Sequence, residues 1–516
     1  MEKVTISKDE YQSLIAIKTD YAYLKQQVDF LKEQMRLSRH KQFGSSSEKS
    51  GYDATQLNLF NEAESQAGES VAEPELTEIK KYYRKKYRAN RDRLPTDLPV
   101  EIVEHVLPEN EQECPDCGNH LHVMGKEVRE ELKLIPAKAV IVRHIKYTYA
   151  CRDCEKNGCG VPVIKAPIPN PVIKGSFASP EAVAHIMTQK FVMGVPLYRQ
   201  EQEWQRQGIF LSRQTMSNWL IRCAEDWLIP VYEELHRRLL SHEILHGDET
   251  TLQVLHEEGK AAQSQSYIWL YRTGGDTKTP IVLYDYQSDR KAIRPEKFLD
   301  GWNGYLHTDG YAGYHTLEKG GNITIVGCFA HARRKFDEAL KGMAEKDREG
   351  SGALIGKRYC DRLFAIEREL KPLSPDIRYK QRLEQARPVL DEFFAWLNSQ
   401  AQYLTKNALG KAVSYTLDQW QYLTRFLLDG RLELSNNRAE RSIKPFVIGR
   451  KNWLFSNTAK GARASAIIYS IIETAKVCGI DPFAYLTYVF KTAPNVDFDI
   501  YPDVLEMLLP FDFICK

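Results

Sequence analysis

Apolar residues near the start of the chain recur with a 3-4 spacing. Leu14, Tyr21, Val28 and Met35 occupy one position, and Ile17, Leu24 and Leu31 follow three residues after the first three. This seam predicts a coiled coil over 8–40, with pairing of two copies as its use. A single amphipathic helix packed on its own chain remains the alternative. The periodicity stops after His40, and 41–100 reads as a linker poor in core-forming residues. Within 101–165, Val128–Leu134 and Val140–Tyr149 are rich in β-branched and aromatic residues and predict short strands. Helical spacing begins at Ser179. It predicts Pro180–Lys190, Leu197–Gln207, a turn at 208–211, and a helix capped by Ser212 that runs through Trp219 to Glu225. That is helix-turn-helix spacing within a domain at 175–235. The texture then changes. Leu252–Leu255, Tyr267–Arg272, Ile281–Tyr286, Tyr305–Thr308 and Ile323–Gly327 read as strands, with helices interleaving from Lys291 onward. The expected architecture over 240–470 is an α/β core, a mixed sheet with helices packed on it. A charged helical stretch lies inside that core, and 471–516 is again helical.

Composition alters this picture little. The 516 residues are 43% hydrophobic and 27% charged, those of a globular protein with several domains. The first residues lack the apolar core of a signal peptide, and no apolar run reaches membrane-spanning length. A cytoplasmic protein with no membrane role is expected. The net charge of +2 is uninformative about partners. Local charge says more: Lys80–Arg93 holds eight Lys or Arg residues and one acid, interleaved with Tyr82, Tyr83 and Tyr87. A solvated linker and a DNA contact through stacking tyrosines both fit this run.

Three constellations carry chemistry. Cys114 and Cys117, then Cys151 and Cys154, form two Cys-x-x-Cys knuckles, which together make a four-sulfur shell for structural Zn²⁺. Cys159 is an alternative ligand, and a redox role lacks the βαβ context it needs. On the predicted third helix of 175–235, Arg213, Gln214, Ser217 and Asn218 are of types that read base edges, although a helical bundle without DNA fits the same pattern. The third set is acidic: Asp248 leads into a strand, Asp309 closes another, and Glu440 sits near the start of a helix. Two strand-end aspartates and a helical glutamate suit a two-metal phosphoryl-transfer site. Single acids in such places are usually solvated caps, so the combination carries the weight.

The chain resembles the transposases of the insertion sequence 66 family. The resemblance rests on segments in order along almost its whole length. They are Gln42–Lys49, the paired Cys-x-x-Cys unit, Pro196–Gln200, Gly247–Thr250, Thr308–Tyr311, Cys328–Phe336, Asn436–Pro445 and Gly449–Phe455. It implies an RNase H-like core of the DDE type with Asp248, Asp309 and Glu440 as catalytic carboxylates holding Mg²⁺ or Mn²⁺. A helical insertion at about 345–426 would separate the last strand from the Glu-bearing helix. Cys328 and His331 would form a Cys-x-x-His unit at the entry to that insertion. Arg441 and Lys444, within about one turn of Glu440, are candidate phosphate contacts. Glu249 should face away from Asp248, because neighbours on a strand point to opposite sides, and Glu433 should be a loop acid. The implied activity is 3′-end cleavage and strand transfer on double-stranded DNA by a homodimer or higher oligomer in a bacterial cytoplasm, with accessory proteins of the same element as possible partners. The competing reading is a zinc-containing DNA-binding regulator whose RNase H-like domain is inactive.

Overall fold

The computed structural model describes residues 140–145, 147–150, 163–275, 277–401, 407–498 and 500–513, together with Glu10, Lys25, Val28 and Lys32. The remainder of the coiled-coil seam, the basic run and all four zinc-candidate cysteines lie outside the described residues. The chain divides into two compact units, Ser47–Ala166 and a second made of Met1–Ser46 with Pro167–Lys516.

In the smaller unit, β1 (Thr148–Ala150) pairs antiparallel with β2 (Val163–Lys165), with Tyr149 opposite Ile164. The strand expected over Val140–Tyr149 is therefore shorter than its composition suggests. Val140, Ile141, Val142 and Ile145 are exposed and carry no strand. β-branched residues suit a pleat, but a strand forms only where a second one takes up its backbone groups.

The larger unit opens with a helical layer: α1 (Pro180–Phe191), α2 (Leu197–Arg206) and α3 (Arg213–Cys223). Ser179 and Ser212 cap α1 and α3, accepting from Ala182 N and Thr215 N at 3.1 Å. The third helix does not stop at Glu225. It widens into a π-helical turn at Ala224–Leu228 and continues as α4 (Ile229–Leu239). Pro230 lacks the N–H that an α-helix would give to the carbonyl four residues back, and the wider turn accommodates that loss.

The sheet runs β5-β4-β3-β6-β7, with β3 Ile244–His256, β4 Gln265–Thr273, β5 Val282–Gln287, β6 Gly304–His307 and β7 Ile323–Val326. β3, β4 and β5 form an antiparallel meander, and β6 and β7 add in parallel to the other side of β3. This is the mixed sheet of an RNase H-like core. β3 starts eight residues before the strand expected at Leu252, because pairing with β4 and β6 on both edges recruits the polar segment around Asp248. Helix α5 (Ile293–Phe298) precedes β6, and α6 (Phe329–Gly342) follows β7.

α7 (Gly352–Leu370), α8 (Pro375–Ala401) and α9 (Ala408–Asp418) form the helical insertion, and with α6 they enclose a second core around Phe329, Phe336, Leu363 and Phe393. The chain then returns as α10 (Asn437–Trp453), which packs on β3 and β4, β8 (Ser456–Thr458), which pairs parallel to the end of β3, and α11 (Ala459–Val477). The Arg272 guanidinium of β4 donates to Ser442 Oγ of α10 at 2.6 Å.

α11 closes the open edge of the sheet. Ser470 Oγ and Thr474 Oγ1 accept from Tyr284 N at 2.8 Å and Val282 N at 3.1 Å on β5. Four helical residues rise about 6 Å and two strand residues about 6.6 Å, so hydroxyls one turn apart meet alternate N–H groups of the edge strand. A free edge would otherwise invite another strand.

One buried arginine ties the insertion to the loop that leads into α10. Arg382, 1% exposed, donates to both oxygens of Glu367 at 2.7 Å and to the carbonyls of Phe426, Asp429 and Leu432 at 2.7–2.9 Å. Replacing Arg382 with Met would leave Glu367 and three carbonyls unpaired. The expected cost is about 3–5 kcal/mol, read as a lower Tm and earlier proteolysis within the insertion.

Candidate active site

Asp248 lies inside β3, four residues from its start, rather than at the strand end expected for it. Alternation along the strand puts His246 and Asp248 on the face covered by α10 and Gly247 and Glu249 on the other. Contacts agree. Asn436, at the start of α10, reaches His246, whereas Tyr314 Oη donates to Glu249 Oε2 at 2.8 Å and Arg290 Nε donates to Glu249 Oε1 at 2.8 Å. Glu249 is a buried, paired acid on the opposite face.

Asp309 follows β6 by two residues, and its Oδ1 accepts from Tyr311 N at 2.9 Å. β3 and β6 are parallel, with His246 opposite His307. Each strand reads His-x-Asp, so two residues beyond that pair the aspartates come to the same side of neighbouring strands. Glu440 occupies the first turn of α10. Its Oε2 accepts from Arg334 Nη2 at 2.9 Å, while its buried Oε1 has no hydrogen-bond partner and lies 3.7 Å from His331 Nε2.

Electrostatics link the three acids. Burial pushes the Asp248 carboxyl well above its ordinary range, and the charges of Glu249, Asp309 and Glu440 push it further the same way. Repelling carboxylates with an oxygen left unpaired are of the chemical type that a hard divalent cation binds, but Asp248, Asp309 and Glu440 do not all come within 4.8 Å of one another. Among the described residues, the group whose ligand atoms all come within 4.8 Å of one another is Cys328, His331 and Glu440. Cys328 is the residue before α6 and His331 lies in its first turn, so the helix presents both, with Arg334, toward Glu440. Burial holds His331 below its ordinary pKa and pushes the Cys328 thiol up to about 12. The Cys-x-x-His pair stands at the strand-to-helix junction where it was expected. Its approach to Glu440 was not.

Beneath the acids lies a polar floor that sequence reasoning missed. The rings of His246 and His307 stack 4.4 Å apart at 10°. Asn436, 1% exposed, donates from Nδ2 to Gly247 O at 2.7 Å, and its Oδ1 lies 2.9 Å from His246 Nδ1. Its backbone N–H points to Cys328 Sγ at 3.1 Å. Asn436 thereby joins β3, the start of α6 and α10, and it makes no side-chain cap for its own helix. Glu433 N donates to His307 Nε2 at 3.3 Å, and the Glu433 carboxylate pairs with Arg438 at 2.7 Å. Glu433 is the loop acid expected. The signals available were the repeated His-x-Asp and the Asn436-Asn437 pair, which by itself reads only as a helix cap.

The remaining candidates are carried by α10 and α3. Arg441 and Lys444 are exposed on α10. Arg213, Gln214 and Asn218 are exposed at the start of α3, with Ser217 half-buried. The Gln214 amide donates to Asn218 Oδ1 at 3.2 Å, and the Arg213 guanidinium lies 5.5 Å from the Tyr198 ring.

Known proteins resemble the chain along most of its length. A family model described as "Transposase IS66 family" matches residues 175–464. One for the "zinc-finger binding domain of transposase IS66" matches 111–155, the span that holds Cys114, Cys117, Cys151 and Cys154. "Transposase C of IS166 homeodomain" matches 30–103, and "IS66 C-terminal element" matches 470–511. Two proteins of Sinorhizobium fredii are similar. Uncharacterized protein y4hP is 31% identical over 83% of this chain and 78% of its own, and uncharacterized protein y4jD is 33% identical over 81% of each. A chain of the Drosophila P element transposase strand transfer complex aligns over 64% of this chain and 86% of its own, at 13% identity and a TM-score of 0.24.

The floor generates two expectations. Asn436→Ala leaves the Gly247 carbonyl and the His246 ring unpaired in the interior, at about 1–3 kcal/mol for each. Its Tm should fall clearly below that of a surface control such as Lys444→Ala. Burial pushes His246 down to about 3 and His307 well below its ordinary value, so both rings are neutral when folded. In the unfolded chain they take up protons near pH 6.5. The stability they support is therefore present above about pH 6.5 and is lost as pH falls toward 3, with a slope approaching about 2.7 kcal/mol per pH unit for two protons. Denaturant titrations from pH 7 to 4 should show this slope, and His246→Gln should reduce it by about half.

Proposed function

The chain belongs to the Transposase IS66 family, and we propose that it cuts the 3′ ends of its mobile element and joins them to target DNA, with Asp248, Asp309 and Glu440 as the carboxylates of the reaction. The observation that carries this reading is the placement of Asp248 and Asp309 two residues beyond the paired His246 and His307 of parallel neighbouring strands, with the helix that bears Glu440 packed on β3. The three acids are separated by long stretches of sequence, and a solvated helix or strand cap would have no such neighbours.

Asp248, Asp309 and Glu440 would hold Mg²⁺ or Mn²⁺, which supplies positive charge to the attacking and leaving oxygens of a phosphodiester. The chain's own residues do the rest. β3 carries Asp248, the end of the neighbouring β6 leads to Asp309, and Asn436 sets the position of the Glu440 helix against them. Cys328 and His331 border the unpaired Glu440 oxygen, and Arg334 holds the other. Arg441 and Lys444 would hold DNA phosphates beside the acids.

In the first step, water attacks the phosphorus at the element's end. One P–O bond forms, the P–O3′ bond breaks, the water gives up a proton, and the departing 3′ oxygen gains one. In the second, that 3′-hydroxyl attacks a target phosphodiester and displaces the target's own 3′ oxygen. Each step exchanges one bond for one, so positioning and charge account for the catalysis without a covalent protein intermediate. Arg213, Gln214, Ser217 and Asn218 would read the element's end. Cys114, Cys117, Cys151 and Cys154 would hold a structural Zn²⁺ in the zinc-finger domain, and the seam over 8–40 would pair two copies.

The test uses duplexes taken from the DNA that borders the coding sequence. Wild type should nick them with Mg²⁺ or Mn²⁺ and not in chelator, leaving a free 3′-hydroxyl. Asp248→Asn, Asp309→Asn and Glu440→Gln should each reduce the rate by at least about a hundredfold while binding the same duplex. Asp248→Asn should fold well, since it removes a charge that its neighbours repel. Metal-independent binding without nicking by wild type would favour the regulator reading.

A further inference from the structure

Helix α10 ends in a way that packing does not explain. Leu454, the residue after it, has φ 65° and ψ −52° and is the only non-glycine with positive φ among the described residues. Phe455 N donates to Trp453 O at 2.8 Å, which closes a γ-turn of the rare, strained hand around Leu454. Such a backbone is costly for any residue with a Cβ, and glycine would relieve it. The side chain gains no burial in return. Leu454 is 65% exposed and Phe455 41% exposed. The turn is held from both sides: Arg450 donates to Thr250 Oγ1 at 3.3 Å and Thr251 Oγ1 at 3.1 Å on β3, and Ser456 of β8 stands opposite Val254. A rigid frame thus pushes an apolar side chain into solvent.

The surface leading to it is basic. Arg441, Lys444 and Lys451 are all exposed on α10. At about 100° per residue they fall within an arc of roughly 80°, forming one stripe that runs from the turn of Glu440 toward Leu454. The distance can be gauged twice. Glu440 to Leu454 is about 21 Å at the helical rise, and Asp248 to Val254, beside the turn, is about 20 Å at the strand rise.

Resting on the activity proposed above, we infer that Leu454, backed by Phe455, is a wedge that enters the base stack of duplex DNA bound at the acid site. The basic stripe would follow the phosphates, and at about 3.4 Å per base pair the wedge would meet the duplex roughly six base pairs from the scissile phosphodiester. Apolar side chains that enter a base step unstack it and bend the duplex. A strained turn suits that use, because a side chain fixed in position loses little freedom on insertion.

Leu454→Gly separates this role from a structural one, since glycine is the favoured residue at positive φ. Duplexes from the DNA bordering the coding sequence would carry 2-aminopurine at successive positions, and its fluorescence rises where a base unstacks. With wild type the signal should peak about six base pairs from the cut. Leu454→Gly should keep or raise the Tm and bind the duplex with similar salt dependence. It should abolish the peak and slow cleavage by at least about tenfold, and Leu454→Phe should restore both. If wild type cuts the duplex while Leu454→Gly matches it in fluorescence and rate, the wedge is wrong and the proposed activity stands. If wild type unstacks the duplex at this position but never cuts it, the proposed activity fails and the wedge stands.

Discussion

The amide of Asn436 holds the site together. Its side chain bonds β3 at Gly247 and His246, and its backbone N–H meets Cys328 at the start of α6. The helix it introduces carries Glu440, and the strand it grips carries Asp248. His246 in turn stacks on His307 of β6, which leads to Asp309. One buried side chain thus coordinates the elements that bear all three acids. Each of its bonds lies in an interior where an unmade bond is expensive, so the arrangement has little freedom to drift.

Above this neutral floor, the acids are arranged at the expense of stability. Asp248 is half-buried near other carboxylates, an arrangement unfavourable for the chain alone and suited to binding positive charge. Arg334 offsets part of that repulsion through Glu440. The surroundings supply the stiffness: α11 closes the sheet edge at β5 with two hydroxyls, and Arg382 anchors the insertion to the loop that precedes Asn436. The insertion packs around a second core that also takes in Ile244 of β3 and Val326 of β7, so the long interval between Asp309 and Glu440 is tied to the sheet.

Much of this was legible in the amino-acid order. Period-2 runs and turn residues located β4 to β7 within a residue or two, because those strands are bounded by punctuating residues and read as apolar runs. Ser179 and Ser212 marked helix starts by the chemistry of their hydroxyls. The three acids were singled out through the resemblance of the ordered segments around them. β3 was placed too late, since its first half is polar and becomes a strand only through partners on both edges. The segment at 140–145 was assigned a strand it does not form, because composition describes what a pleat tolerates and not whether a neighbour exists. β8 is three polar residues that gain a strand from the end of β3.

What the sequence determined by itself is the set of parts: the helical layer, the meander with its two parallel additions, the insertion and the acids in order. These follow from local periodicity and residue chemistry, which act over a few neighbouring positions. Only the tertiary structure decided that a buried asparagine binds a histidine 190 positions away, that Cys328 and His331 turn toward Glu440, and that Leu454 stands in a strained turn facing solvent. Such facts depend on which surfaces meet across long intervals. Contact at that range is set by the packing of whole elements, and no short window of sequence records it.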